Sequence, residues 1–232
     1  MPVACRLSPV VIALLVAQPL AAQAPAWNVD SARAPEKLLE FTATEGTWIS
    51  VDVSPDGRML VFDLLGHLYE MPFGGGDARA LTRGRSWNHL PRYSPDGTKI
   101  MFTSDRRGKE GIWLLTRGND SLEALSKGDE RTYQAAWTSD GRGYYAVTGD
   151  LGAKFGASRF DMFGSRQVLV PPQTFTPPAQ IVEDSARRRL IFAQPAGPVY
   201  ANGFQLKTYD LTSGEVRVFL SRRGGSASPA IS

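Results

Sequence analysis

The chain has almost no cysteine: Cys5 is the single one in 232 residues. It lies ahead of the first apolar run, so it is out of place for the lipidated residue of a lipoprotein. Once an export signal is removed, no thiol is left. That excludes thiol catalysis, cysteine-ligated metal and disulfides, so packing alone must hold the core. Histidine is nearly as scarce, with His67 and His89 only. There is no His-x-His, no His-Glu-x-x-His, no Gly-x-Ser-x-Gly elbow, no phosphate-binding Gly-x-x-x-x-Gly-Lys loop and no EF-hand pattern. An excess of one charge is missing too. Lys and Arg total 26 against 23 Asp and Glu, a net +3. The longest basic cluster is Arg187-Arg188-Arg189, which excludes nucleic acid as a partner class. Long apolar runs are absent but for Val10 to Leu20, shorter than the roughly 20 residues a spanning helix needs.

That one run carries an address. Arg6 precedes it and Ala22-Gln23-Ala24 follows as a small-residue cleavage site. Residues 1–24 are predicted to be a signal peptide. Cleavage after Ala22 is the alternative, because Pro25 sits awkwardly after Ala24. The protein is therefore expected in the periplasm or secreted, with no stable membrane insertion after cleavage. At 42% hydrophobic residues the remainder has globular composition, and 23 Gly with 16 Pro point to many turns and few long helices.

Repeats decide the fold class. Val53-Ser54-Pro55-Asp56-Gly57-Arg58-Met59-Leu60-Val61-Phe62 returns as Tyr93-Ser94-Pro95-Asp96-Gly97-Thr98-Lys99-Ile100-Met101-Phe102. A weaker copy starts at Trp137-Thr138-Ser139-Asp140-Gly141, and a faint fourth at Glu183-Asp184-Ser185-Ala186. A spacing of roughly 40–45 residues is that of four-stranded propeller blades. Ser, Pro and Gly at the first, second and fourth places suit a type I turn, so Asp56 and Asp96 read as turn formers. Ahead of the turn, Ile49, Val51 and Val53 alternate with Ser50 and Asp52 and predict a half-buried strand. After it, Met59 to Phe62 and Ile100 to Phe102 predict a strand covered on both faces.

The expected fold is all-β: a β-propeller of about four four-stranded blades. Its blades are placed near 45–84, 85–128, 129–175 and 176–222, after an N-terminal segment at 25–44 able to supply a closing strand. The third is the irregular one, and the four prolines of residues 171–178 read as an extended connector. Residues 223–232 read as the start of a further blade, truncated, because Ser228-Pro229-Ala230-Ile231-Ser232 is similar to Leu90-Pro91-Arg92-Tyr93-Ser94.

The Ser-Pro-Asp-Gly repeats, with Leu68-Tyr69 or Ile112-Trp113 in the third strand and Leu81-Thr82 at the end, resemble the WD40-like (PD40) repeats of TolB and its relatives. Propellers of tricorn-type and prolyl-oligopeptidase-type peptidases carry similar repeats. The first-blade string from Glu45 to Gly57, with Val61 to Gly66, resembles the N-terminal propeller of exported bacterial imidazolonepropionase-like amidohydrolases. His67 departs from the acidic residue that resemblance implies. It further implies a metal-dependent hydrolase barrel after the propeller, where any divalent metal would reside.

Within the chain itself no catalytic, cofactor or metal residue is expected. His89, placed after Trp87-Asn88 in an interblade loop, is a candidate for the propeller mouth, and His67 shares a strand face with Tyr69 and Met71. Trp48, Trp87, Trp113 and Trp137 are expected to wedge between blades. The expected partner is a catalytic domain or another protein. The resulting reading is a non-catalytic propeller region that packs on or gates an amidohydrolase-like domain. A TolB-like protein-binding scaffold and a serine-peptidase propeller are the alternatives.

Overall fold

A computed structural model describes residues 28–30, 37, 41–47, 49–126, 130–149, 154–174, 179–195, 203–221 and 229. The signal peptide, Trp48 and all but one of residues 223–232 lie outside these. Of the segment 25–44, only 28–30, 37 and 41–44 are described, and none of these is in a strand.

Sixteen strands form four antiparallel sheets of four, each in chain order. Blade 1 comprises β1 (Val51–Val53), β2 (Met59–Leu64), β3 (His67–Pro72) and β4 (Arg79–Ala80). Blade 2 comprises β5 (Asn88–Tyr93), β6 (Lys99–Ser104), β7 (Gly111–Thr116) and β8 (Ser121–Ala124). Blade 3 comprises β9 (Arg131–Trp137), β10 (Gly143–Gly149), β11 (Lys154–Asp161) and β12 (Arg166–Thr174). Blade 4 comprises β13 (Ala179–Asp184), β14 (Arg189–Pro195), β15 (Phe204–Asp210) and β16 (Val216–Leu220). Consecutive blades pack face to face, the first strand of each lying innermost. The architecture is the expected β-propeller of four-stranded blades. Among the described residues no helix is long and apolar enough to cross a membrane.

The repeated turn closes as its chemistry requires. Gly57, Gly97 and Gly141 donate their N–H to the carbonyls of Ser54, Ser94 and Thr138 at 2.8–2.9 Å, with φ of +71°, +69° and +67°. The Ser54, Ser94 and Thr138 hydroxyls donate to Asp56, Asp96 and Asp140 at 2.6 Å. Those bonds hold all three carboxyls below the usual carboxylate range. These aspartates build turns. Blade 4 makes its corner differently: Asp184 caps a short 3₁₀ turn, Ser185–Arg187, and Arg188 takes the left-handed conformation at φ 50°.

Three interblade cores follow. Val61, Leu68 and Leu81 of blade 1 cover Tyr93, Ile100, Phe102 and Leu115 of blade 2. Met101, Ile112 and Leu125 then cover Tyr144 and Ala146 of blade 3. Tyr145, Val147 and Ala157 in turn cover Leu190 and Phe192 of blade 4. Ile100, Met101 and Phe102 are buried on both faces, as expected.

Blade 1 departs from expectation. Ile49, Val51 and Val53 are 40%, 54% and 43% exposed, because no blade among the described residues covers their face. In β2 only Val61 and Asp63 are buried. The expected connector is also corrected. Residues 171–174 belong to β12, the longest strand among the described residues, rather than to a linker, and 175–178 lie outside the described residues. The register passes from Val170 opposite Ala157 to Gln173 opposite Phe155, so Pro171 and Pro172 fall at a bulge. β12 is an edge strand, where a missing N–H is tolerated. Of the tryptophans, Trp113 and Trp137 pack between blades. Trp87 does not; it is 57% exposed in the link between blades 1 and 2.

Candidate functional site

The innermost strand of a blade is hydrogen-bonded on one side only. Its other edge faces the axis, and its N–H and C=O groups need partners there. Side chains of neighbouring blades supply them. Asp52 accepts from the Tyr93 N–H at 2.8 Å, and Asp63 from the Leu90 N–H at 2.9 Å. The Trp137 indole donates to the Arg92 carbonyl at 3.2 Å, and the Thr103 hydroxyl to that of Tyr133. Gln134 accepts from the Gln180 N–H, and Glu183 from the Ser139 N–H at 2.6 Å. Each pair of adjacent inner strands is thus laced side chain to backbone.

The inner strands share a second device. In β5, Leu90 and Pro91 face one residue, Phe102. In β9, Tyr133 and Gln134 face Val147, and in β13, Gln180 and Ile181 face Phe192. These are β-bulges at one level of the propeller. They turn the strand so that the amides of Leu90 and Gln180, both at positive φ, aim at the neighbouring blade. Only Pro91 hinted at this in the sequence, since it cannot donate to the ladder.

The four inner strands line an open axial cavity of about 550 Å³. Asp52, Arg92, Gln134, Ala136 and Glu183 are among its lining residues. Arg92 is held by the Pro91 carbonyl at 2.8 Å. Burial pushes the Asp52 carboxyl up, against the opposing pull of the Tyr93 amide and Arg92. The cavity thus offers one cation, two carboxylates and amide groups on a backbone scaffold. That set can read the polar groups of an inserted chain segment.

His89 is not in an interblade loop. It is the second residue of β5, absent from the cavity lining, with Nε2 3.6 Å from the Glu110 carboxylate. His67 does lie on the strand face of Tyr69 and Met71, and burial pushes its imidazole down. Their neighbours in sequence meet, the Asn88 N–H donating to the Gly66 carbonyl at 3.0 Å. The residues that line the cavity (Asp52, Arg92, Gln134 and Glu183) escaped the sequence reading. Their signal was only that of polar residues within strand-like stretches, which alternation alone assigns to a solvent face.

Between blades 1 and 2 lies a further polar group. Glu70, 7% exposed, accepts from the Tyr93 hydroxyl at 2.9 Å and Arg117 Nε at 2.8 Å, with Arg79 at 3.5 Å. Burial and this carboxylate push the Tyr93 phenol up. It clasps the two blades.

Comparison with known proteins agrees with this architecture. The chain is 31% identical over 74 residues to Protein TolB homolog of Chlorobium luteolum, 32% of this chain and 17% of that one. It is 32% identical over 89 residues to Tricorn protease homolog 1 of Streptomyces coelicolor, 38% of this chain and 8% of that one. The crystal structure of TolB from Acinetobacter baumannii superimposes with a TM-score of 0.66 at 22% identity, over 81% of this chain and 46% of that one. The chain therefore spans less than half the length of each of these proteins. Residues 22–178 match the PD40 family, TolB beta propeller domain. With its Ser-Pro-Asp-Gly corners, four meander blades and side-chain-laced axis, the chain belongs to that family.

Proposed function

We propose that the chain is the non-catalytic propeller region of an exported protein, receiving a protein partner at its axial cavity. The observation that carries this is the cavity itself. It draws on the inner strands of all four blades and mixes Arg92, Asp52, Glu183 and Gln134 with backbone. Its volume falls within the range of ligand clefts and suits a short peptide segment. Periplasmic or extracellular placement rests on the apolar run and small-residue cleavage site of residues 1–24.

Within the whole protein, we read this region as the N-terminal propeller of an amidohydrolase-like metal-dependent hydrolase, packing on its catalytic domain or gating it. The first-blade string from Glu45 to Gly57 supports that reading. Any divalent metal belongs to the following domain. A TolB-like periplasmic scaffold is the second reading, favoured by the family match. A peptidase propeller is the third, favoured by the likeness to the tricorn protease homolog.

Two measurements test this. Reading the coding frame beyond Ser232 separates the three placements. Further blades and then His-x-His support the hydrolase, blades alone the scaffold, and a Gly-x-Ser-x-Gly region the peptidase. Photocrosslinking from the Arg92 position tests the cavity. A partner peptide crosslinked there, and displaced when Ala136→Trp fills the channel, supports docking. Equal crosslinking in the Ala136→Trp variant overturns it.

A further inference from the structure

Leu65 and Trp87 stand in solvent at one end of the propeller. β2 and β3 are joined by a two-residue turn, since Leu64 pairs with His67. Leu65 and Gly66 in that turn have φ of 51° and 80°, the type I′ geometry of a tight hairpin. Asn, Asp or Gly adopts this conformation readily, whereas a leucine is strained there. Burial does not offset the strain, because Leu65 is 64% exposed. Trp87, in the link between blades 1 and 2, is 57% exposed. Its indole lies against Gly66, where an added Cβ would come within 3.1 Å of Trp87 Cε3. The strained leucine and the exposed indole are therefore neighbours. Neither lines the axial cavity, and Trp87 is also absent from the lining of the open face of blade 1.

The support beneath them is built from buried hydrogen bonds. Asn88, fully buried, ties the turn to the link. Its N–H and its side-chain amide both donate to the Gly66 carbonyl, at 3.0 and 2.8 Å, and the amide also donates to the Ser86 carbonyl at 2.8 Å. The Trp87 N–H donates to Asp105, which begins the β6–β7 loop, at 2.8 Å. Asp30 accepts from the Arg85 and Ser86 N–H groups, the Ser86 hydroxyl and Arg106. Asp30 and Asp105 are thus engaged within the support, while the same loops expose Arg83, Arg85 and Arg107.

We propose that Leu65 and Trp87 anchor a docking surface for a separate acidic protein. A segment of that partner sets an apolar side chain against the indole and places Asp or Glu beside the three arginines. Tryptophan and arginine are the residue types enriched at the energetic centre of such contacts, and a side chain on a pre-organised support loses little freedom on binding. Two apolar side chains among cations make a small, polar interface of the transient kind. A permanent contact with a further domain of the same protein would be larger and more apolar. This inference stands apart from the reading of the axial cavity and holds whatever number of blades completes the ring.

A photocrosslinking amino acid placed at Arg83 of the full-length protein, in its own cells, tests the proposal, with the crosslinked peptides read by mass spectrometry. The expected product is a separate protein joined through a segment in which carboxylates flank an apolar residue. Trp87→Ser, Leu65→Asn and Arg107→Glu should each lower its yield by about tenfold. Leu65→Asn should also raise the melting temperature, since asparagine relieves the strain of the turn. Circular dichroism like that of the parent shows that the variants are folded, and if Trp87→Ser is not, the other two decide. The proposal is overturned by the absence of any crosslinked protein, by a crosslink confined to the protein's own polypeptide, or by a partner segment without carboxylates. Folded variants that crosslink like the parent overturn it too. So does a lower melting temperature in Leu65→Asn, because the leucine then serves the fold.

Discussion

Asp52 in β1 and Tyr93 in β5 are joined by one hydrogen bond of 2.8 Å, from the Tyr93 amide to the Asp52 carboxylate. The two residues are far apart in sequence and belong to different sheets. An edge strand that would otherwise present a bare N–H to the axis is satisfied by a side chain of the preceding blade.

Asp52 is therefore a place to measure the cost of that arrangement. Its carboxyl is raised above 3.8, burial being the main cause. A raised value means that its contribution to stability is fully present below the unfolded value and is lost as pH rises through the folded one. Asp52→Asn keeps an acceptor for Tyr93 and removes the ionisation. The variant should melt at the same or a higher temperature than the parent at neutral pH, and lose that advantage on acidification. Asp52→Ala leaves the amide unpaired and should cost about 1–3 kcal/mol at every pH. Thermal melts across the carboxylate range check both.

Glu70 holds blades 1 and 2 together through Tyr93 and Arg117. Glu70→Ala strands both partners. Arg117 and Arg79 reach solvent, so the expected cost is about 2–3 kcal/mol, below that of a fully buried pair. Denaturant unfolding gives the number, and a double-mutant cycle with Tyr93→Phe should show coupling between the two sites.

Arg188 sits at φ 50° without the freedom of glycine. Arg188→Gly should stabilise the chain by about 1 kcal/mol, because a side chain in the left-handed region carries a steric penalty. The same replacement at Arg187, which is in the 3₁₀ turn, should bring no gain. Urea midpoints of the two variants distinguish them.

Gly143 opens β10 against the Phe160 backbone. A Cβ there would overlap the Phe160 carbonyl oxygen, and backbone cannot move aside as a flexible side chain would. Gly143→Ala is expected to cost about 1–3 kcal/mol through forced backbone displacement. Gly74→Ala, whose Cβ would meet nothing, is the control and should change stability little.

The sequence by itself determined the blade and its corner. Ser-Pro-Asp-Gly is local chemistry: a preset φ at Pro55 and Pro95, a left-handed glycine, and a hydroxyl within reach of an aspartate two residues on. Its recurrence gave the period, and the apolar run after it gave the strand buried between two blades at Ile100 to Phe102. The tertiary structure decided what depends on neighbours. Pro171 and Pro172 read as a linker because local propensity disfavours them in a strand, yet an open sheet edge accommodates them. Ile49, Val51 and Val53 read as buried because alternation reports which face is apolar, not whether another blade covers it. His89 reads as an interblade loop residue because it follows Trp87-Asn88, yet it is the second residue of β5, paired with Thr103. Asp52, Gln134 and Glu183 gained their roles only when adjacent blades aimed backbone amides at them. Periodicity is a property of the chain, whereas a hydrogen bond across the axis belongs to the packing of one blade on the next.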